Sequence, residues 1–85
     1  MNSIQCKMAR AALGWGTRDL AQNAGVSPDT VARLERGEDL KLATINIMRA
    51  AFESAGVIFI EEERGQGVGV RLAKASDPQK THDGE

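Results

Sequence analysis

The residues best suited to chemistry in this chain are two arginines near its centre. Arg33 and Arg36 are three positions apart, so they lie on the same side of any helix that contains them. A guanidinium group donates hydrogen bonds to carboxylates, to phosphates and to guanine edges. Two interpretations are therefore open. The arginines bind phosphate or base, or they are solvated and pair with nearby carboxylates, of which the chain offers Glu35, Glu38 and Asp39.

The other reactive side chains are isolated. The chain has one cysteine, Cys6, and one histidine, His82. A single cysteine forms no internal disulfide, and neither residue has partners at the spacing of a metal site or a catalytic group. We therefore predict no metal, no cofactor, no small-molecule ligand and no enzymatic activity. Cys6 is expected to be a buried or half-buried thiol, and His82 a solvated imidazole.

The charge of the chain is nearly balanced, with a net charge of −1 over 85 residues, of which 41% are hydrophobic. Residues 1–42 contain six basic and five acidic side chains, and the remainder contains five and seven. Tight phosphate binding usually requires a larger basic excess. The length supports one small domain. No apolar stretch could span a bilayer, and no signal-peptide pattern is present, so we predict a cytoplasmic protein without membrane contact.

Helical spacing of apolar residues predicts a first and a fourth helix. The first is expected to be capped by Asn2 or Ser3, and the fourth to be capped by Thr44 and to end at Gly56. The residues predicted to be buried on these helices and on the link before the fourth are Ile4, Met8, Ala11, Ala12, Leu40, Leu42, Ile45, Met48 and Phe52.

Two shorter helices are predicted between them, joined by a glycine turn. The first of the pair runs from about Thr17 to Ala24 and ends at Gly25, which can adopt the left-handed conformation that closes a helix. The second starts with a Ser27 cap and a proline at the first helical position, and it ends at Gly37. The residues expected to face inward are Leu20, Ala21, Ala24, Val31 and Leu34.

From Val57 onward the pattern changes to two β-rich runs, VIFI and VRL, on either side of a glycine-rich stretch. This pattern predicts a β-hairpin with its bend at or near residues 64–69. Residues 75–85 are polar and are predicted to be disordered. The predicted fold is therefore mostly α, with four helices and a small hairpin in one domain over residues 1–74, followed by a disordered tail.

Residues 13–37, LGWGTRDLAQNAGVSPDTVARLERG, resemble the Cro/repressor-type (Xre-like) helix-turn-helix domain of bacterial and phage regulators. The matching residues are Leu20, Ala21, Gly25, Val26, Ser27, Thr30, Val31, Leu34, Glu35 and Gly37. With the flanking helices, the resemblance covers about residues 3–56 and implies a four-helix bundle of that type. Most of these positions pack the scaffold, so they favour the fold without deciding what it binds.

In that family the start of the third helix contacts base edges and the start of the second contacts phosphate. Carried over to this chain, the binding face would comprise Thr17, Arg18, Ser27, Pro28, Asp29, Thr30, Ala32, Arg33 and Arg36. Arg33 is the strongest candidate for reading a guanine. Pro28 has no N–H to donate, Asp29 repels phosphate, and Ala32 offers only a methyl contact to thymine. Thr17 stands where the family usually has a glutamine.

The resemblance implies a small transcriptional regulator that binds operator DNA with its third helix in the major groove. One such unit reads a short half-site, so specific binding implies a homodimer on an inverted repeat. The stretch GVIFIEE offers a strand edge for this dimer, formed by Val57, Ile58, Phe59 and Ile60.

An alternative from a different class stays open. The same face would bind and inhibit a transcriptional activator protein without binding DNA, as an anti-activator does. The near-neutral motif, Asp29 on the reading edge, the absent glutamine and the acidic residues 61–63 favour this function. The chain also resembles small helix-turn-helix anti-activators of rhizobial mobile elements in size and composition.

Overall fold

The computed structural model describes residues 1–74. Its elements in chain order are α1 (Ser3–Leu13), α2 (Thr17–Ala24), α3 (Pro28–Glu35), α4 (Leu42–Ser54), β1 (Val57–Ile60) and β2 (Gly69–Leu72). The prediction of a mostly helical chain with four helices and a hairpin is confirmed for these residues. None of their helices is long and apolar enough to cross a membrane. The predicted disordered tail and His82 lie outside the described residues.

An aromatic cluster lies at the centre of the core. Phe52 of α4 is fully buried, and its ring stacks on Trp15 with a centroid distance of 5.6 Å. The rings of Phe52 and Phe59 of β1 meet edge to face, with a centroid distance of 6.0 Å. These contacts join α4 to the α1–α2 link on one side and to the hairpin on the other. Offset-stacked and edge-to-face contacts stabilise the folded chain beyond the burial of the rings alone.

The buried face of α1 differs from the prediction. Cys6 and Ala9 are fully buried, whereas Ile4 and Met8 are 52% and 38% exposed. The two alanines predicted to share their face, Ala11 and Ala12, are also exposed. Both sets of residues recur at helical spacing, so periodicity alone does not choose between them. The choice is made by a polar residue, Gln5, whose side chain points inward and is 1% exposed.

Gln5 links the start of α1 to the hairpin. Its backbone N–H donates to Oδ1 of Asn2 at 2.8 Å, and the Asn2 N–H donates back to Oε1 of Gln5 at 3.1 Å, which completes a capping box. Its Nε2 group donates to the carbonyl oxygens of Ile60 at 3.0 Å and Gly69 at 3.2 Å. Every polar atom of this buried amide therefore has a partner, which offsets the cost of its burial.

The start of α4 also differs from the prediction. The helix begins at Leu42 with Lys41 as its N-cap, and Thr44 lies within the first turn, where its N–H donates to the Lys41 carbonyl at 3.0 Å. Leu42 is 71% exposed, so the prediction that it covers the core is wrong. Leu40 does pack against the core. The predicted burial of Met48 and Phe52 is confirmed, and Ile45 is partly buried against the core.

The predicted hairpin is confirmed, with a tighter turn than expected. β1 and β2 pair antiparallel, with Val57 opposite Leu72. The turn is centred on Arg64 and Gly65, whose φ angles of 55° and 80° are both left-handed, as a two-residue hairpin turn of the I′ kind requires. Gly69 is already the first residue of β2.

Candidate functional site

α2 and α3 pack against each other across a three-residue turn. Gly25 has a φ of 73°, and its N–H donates to the Ala21 carbonyl at 2.9 Å, which ends α2. Ser27 caps α3, since its Oγ accepts the Thr30 N–H at 3.1 Å. Pro28 follows at the first helical position, as predicted. The turn therefore presents the N-terminal end of α3 at the surface.

The nine residues predicted to form a binding face all lie on this two-helix unit. Each is exposed or half-exposed, and together they define what we term the α2–α3 face: Thr17, Arg18, Ser27, Pro28, Asp29, Thr30, Ala32, Arg33 and Arg36. The inward side of α3 is held by Val31 and Leu34, which are 0% and 4% exposed, and this confirms their predicted role in the core. The rotation of α3 about its axis is thereby fixed, with its polar side outward.

Arg33 and Arg36 share one carboxylate, that of Glu38. The Arg33 Nε donates to Oε1 at 3.1 Å, and the Arg36 Nε and Nη2 donate to Oε2 at 3.0 and 2.8 Å. Hydrogen bonds from Arg36 and Arg33 hold the pKa of Glu38 below its usual value. Of the three carboxylates that the sequence offered, Glu38 is therefore the one that pairs with both arginines. Asp29 adds a second negative charge to this group, which therefore contains two positive and two negative side chains.

A second ion pair lies beneath α3, and the sequence reasoning did not find it. Arg10 of α1 binds Glu35 through two bonds, Nε to Oε2 at 2.7 Å and Nη2 to Oε1 at 2.8 Å. The Arg10 Nη1 group also donates to the Trp15 carbonyl at 3.1 Å. The two side chains are 22% and 10% exposed. This bidentate pair joins the last residue of α3 to α1, so it helps to hold the α2–α3 face on the rest of the domain.

Cys6 donates from Sγ to the same Glu35 carboxylate, at 3.2 Å from Oε2. Burial, together with this hydrogen bond, raises the pKa of the Cys6 thiol to about 12. Burial alone would raise the pKa of Glu35, but the hydrogen bonds from Arg10 and Cys6 outweigh it and the pKa is lowered. The predicted burial of Cys6 is confirmed, and a thiol that remains protonated and buried is a poor nucleophile. The sequence signal for this cluster is slight: Cys6 and Arg10 are four residues apart on one side of α1.

The four residues predicted to form a dimer edge divide into two pairs. Val57 and Phe59 are 3% and 8% exposed and belong to the core, whereas Ile58 and Ile60 are 45% and 40% exposed. The Ala73 N–H donates to the Gly56 carbonyl. Because alternate residues of an antiparallel strand direct their backbone groups toward the partner, the backbone groups of Ile58 and Ile60 face β2 in the same way as those of Gly56. The opposite edge of β1 is formed by the backbone of Val57 and Phe59. That edge is largely covered, which corrects the expectation of an open strand edge.

No protein-family model and no curated protein sequence matches the chain. The site is therefore interpreted from its own geometry. The α2–α3 face combines a capped helix start at Ser27 with two arginines one turn apart, and its hydroxyl and guanidinium groups can donate to phosphate or to base edges. Within residues 1–74 there is no group of three or more side chains suited to hold a metal ion.

Proposed function

We propose that α2 and α3 form a helix-turn-helix of the Cro/repressor type and that the chain is a small transcriptional regulator that binds operator DNA as a homodimer. The observation that carries this proposal is the α2–α3 face. A glycine turn and a Ser27 cap present the start of α3 at the surface, and Arg33 and Arg36 extend from the same helix and its C-cap. In a helix-turn-helix, this is the part of the second helix that enters the major groove.

The residues of the face take different roles in this proposal. Arg33 reads a guanine by donating to its O6 and N7 atoms. Arg36, one turn further along, contacts the backbone, and so do Thr17 and Arg18 at the start of α2. Asp29 accepts from a cytosine amine or stays solvated. These assignments separate one base-reading residue from several positioning contacts.

A substitution at Arg33 tests the assignment. We expect Arg33→Ala to weaken specific DNA binding by about 1–3 kcal/mol and to relax the preference at one base pair. Asp29→Ala should leave the affinity unchanged or raise it for mixed-sequence DNA. The measurement is a titration against the promoter DNA that flanks the gene and against a mixed-sequence duplex, each at two salt concentrations. Lys74→Ala, an exposed lysine beyond β2, is the control. An operator affinity of Arg33→Ala equal to that of the control would contradict the assignment.

The homodimer needs a surface that leaves both copies of α3 free. α1 lies along β2 and also packs against α3, and β2 pairs with β1. The exposed large apolar residues of α1, β1 and β2 are Ile4, Met8, Ile58, Ile60 and Leu72, and we term the first four the apolar patch. Gly69, opposite Ile60 in the strand pair, adds no side chain between Ile60 and α1. We assign the patch to a second copy of the chain, because an exposed apolar surface on a small domain is typical of an interface between proteins.

Placing charge in the patch should separate the copies. The double variant Ile58→Lys with Ile60→Lys keeps the core intact, because both side chains point outward, and it should convert a dimer to a monomer in sedimentation equilibrium. Leu42→Lys is the matched control, since Leu42 is a more exposed apolar residue on α4. A dimer that persists in the double variant would refute this surface. A wild-type chain that is monomeric at DNA-binding concentrations would refute the dimer itself.

A second function, that of an anti-activator, is favoured by the charges of the face. Asp29 and Glu38 balance Arg33 and Arg36, and Glu38 is bonded to both arginines. A surface of alternating charge suits a protein partner better than a uniformly anionic duplex. This function expects no DNA binding at low salt, together with capture of an activator protein by the wild type and reduced capture by folded Asp29→Ala and Arg33→Ala variants. Capture unaffected by both substitutions would contradict it.

A further inference from the structure

We propose that Glu38 is an internal competitor for DNA phosphate, which holds Arg33 and Arg36 and lowers the affinity of the α2–α3 face for DNA of any sequence. The inference rests on the proposed DNA-binding function and adds a residue that the binding face did not include. It assigns to Glu38 a regulatory part in the site, where the carboxylate offsets part of the positive charge of the two arginines until their bonds to it are exchanged.

The backbone at the end of α3 fixes the position of Glu38. Gly37 has a φ of 88°, and its N–H donates to the Leu34 carbonyl at 2.9 Å. The Glu38 N–H donates to the Arg33 carbonyl at 3.0 Å. These two bonds form the Schellman arrangement that closes many helices. The chain therefore turns back at Gly37, and Glu38 is held beside Arg33 and Arg36.

The carboxylate offers the arginines the same kind of acceptor as a DNA phosphate. Each of its oxygens is engaged, Oε1 by Arg33 and Oε2 by two donors of Arg36. Nε–H of Arg33 and both Nε–H and Nη2–H of Arg36 are thus occupied in the unbound protein. A phosphate that approaches meets guanidinium groups with some of their donors already in use and a negative charge between them.

The pairs are exposed enough to exchange. The side chains of Arg33, Arg36 and Glu38 are 43%, 57% and 45% exposed. Ion pairs at such exposure are weak, so the arginines can leave Glu38 when a better acceptor is present. A backbone phosphate is a charged acceptor like the Glu38 carboxylate, so the two compete directly for the guanidinium groups. Glu38 should therefore weaken the binding of phosphate by the α2–α3 face.

The experiment compares two variants with the same change in net charge. Glu38→Gln removes the shared carboxylate. Glu53→Gln removes a carboxylate of similar exposure that pairs with Arg49 on α4 at 3.0 Å, away from the α2–α3 face. The probe is a mixed-sequence duplex, titrated at several salt concentrations. An exposed ion pair shifts an equilibrium by about one- to fivefold, so with two arginines released we expect Glu38→Gln to bind about 3- to 20-fold more tightly.

The salt dependence supplies a second measure. Each additional phosphate contact steepens the slope of log affinity against log salt by about 0.9, so Glu38→Gln should steepen it by about 1–2. Glu53→Gln should change the affinity less than about twofold and should leave the slope as it is. Thermal unfolding by circular dichroism confirms that both variants fold.

A readout without DNA tests the geometry directly. The Nε–H resonances of Arg33 and Arg36 should move toward those of solvated arginine in Glu38→Gln, and the Arg49 resonance should move only in Glu53→Gln. Arginine resonances that do not move in Glu38→Gln would overturn the inference.

The DNA titrations separate the remaining outcomes. If Glu38→Gln binds DNA no more tightly than Glu53→Gln while the wild type binds measurably, the role of Glu38 is overturned and the proposed function is left intact. Absence of DNA binding by all three proteins at low salt overturns both.

Discussion

Glu35→Ala is expected to lower the free energy of unfolding by about 2–4 kcal/mol. Removing one partner of a buried ion pair typically costs about 3–5 kcal/mol, because the other charge is left uncompensated. Arg10 is 22% exposed, so water solvates part of its charge and the expected cost is smaller. Cys6 loses its acceptor in the same variant. Chains of 85 residues have total stabilities of about 4–13 kcal/mol. The loss is therefore large enough to leave a measurable unfolded population at moderate temperature.

Denaturant unfolding followed by circular dichroism measures this loss. Glu53→Ala is the control, because Glu53 pairs with Arg49 four residues earlier on an exposed side of α4. Exposed pairs at that spacing contribute about 0.3–0.5 kcal/mol. A Glu35→Ala loss no larger than that of Glu53→Ala would show that the pair with Arg10 does not support the fold.

The same pair has a defined pH dependence. The pKa of Glu35 is lower in the folded chain than the ordinary value of about 4.3 expected for the unfolded chain. Its contribution to stability is therefore complete above that value and is lost as the pH falls toward the lowered pKa. We expect the stability difference between the wild type and Glu35→Gln to shrink as the pH is lowered from about 6 to below about 4. The pKa of Glu38 is also lowered, but Glu38 is common to both proteins. A difference that is constant over this range would contradict the assignment.

Phe52→Ala is expected to cost about 3–5 kcal/mol, the usual range for removing a large buried aromatic. The ring is fully buried and is in contact with Trp15 and Phe59, so its loss opens a cavity between α4, the α1–α2 link and the hairpin. Trp15 is the chain's one tryptophan, and its fluorescence should shift to longer wavelength as its stacking partner is removed.

Leu42→Ala is the control for Phe52, because Leu42 is on the same helix but 71% exposed. Its effect should stay within about 0.5 kcal/mol, as for most surface substitutions. A cost for Phe52→Ala below about 1.5 kcal/mol, or an unchanged Trp15 spectrum, would mean that the site collapses around the smaller side chain and that the aromatic cluster is not the centre of the core.

The elements that local signals define were predictable from the sequence. α2 ends at Gly25, and α3 starts at the Ser27 cap with Pro28 and ends before the glycine that follows it. Each of these signals acts on the backbone at its own position, so it does not depend on contacts with distant elements. The hairpin was predictable from two β-rich runs around a glycine-rich bend. The nine residues of the α2–α3 face were predicted from the resemblance, and all of them lie at exposed or half-exposed positions. On α3, Val31 and Leu34 determine which side faces inward.

The features that were not predictable depend on contacts between distant elements. α1 has apolar residues at helical spacing on two sides, and the inward turn of Gln5 toward the hairpin decides which side is buried. The partner of each arginine also depends on the tertiary structure. Nothing in the spacing distinguishes Glu35, which binds Arg10, from Glu38, which binds Arg33 and Arg36. α4 starts without a side-chain cap, so Thr44 was a misleading signal.

The Gln5 side chain bonds both to the start of α1 and to the hairpin, so we expect the local opening of these two segments to be coupled. Helix starts usually fray independently of the rest of a domain, and their amide hydrogens exchange with solvent quickly. Here the side chain that completes the first turn of α1 also bonds to Ile60, 55 residues away. A movement of that side chain therefore disturbs both the helix cap and the bonds to the hairpin carbonyls of Ile60 and Gly69. The amide hydrogens of Cys6 and Ala73, which donate to Asn2 and Gly56, should consequently exchange as members of one cooperative unit.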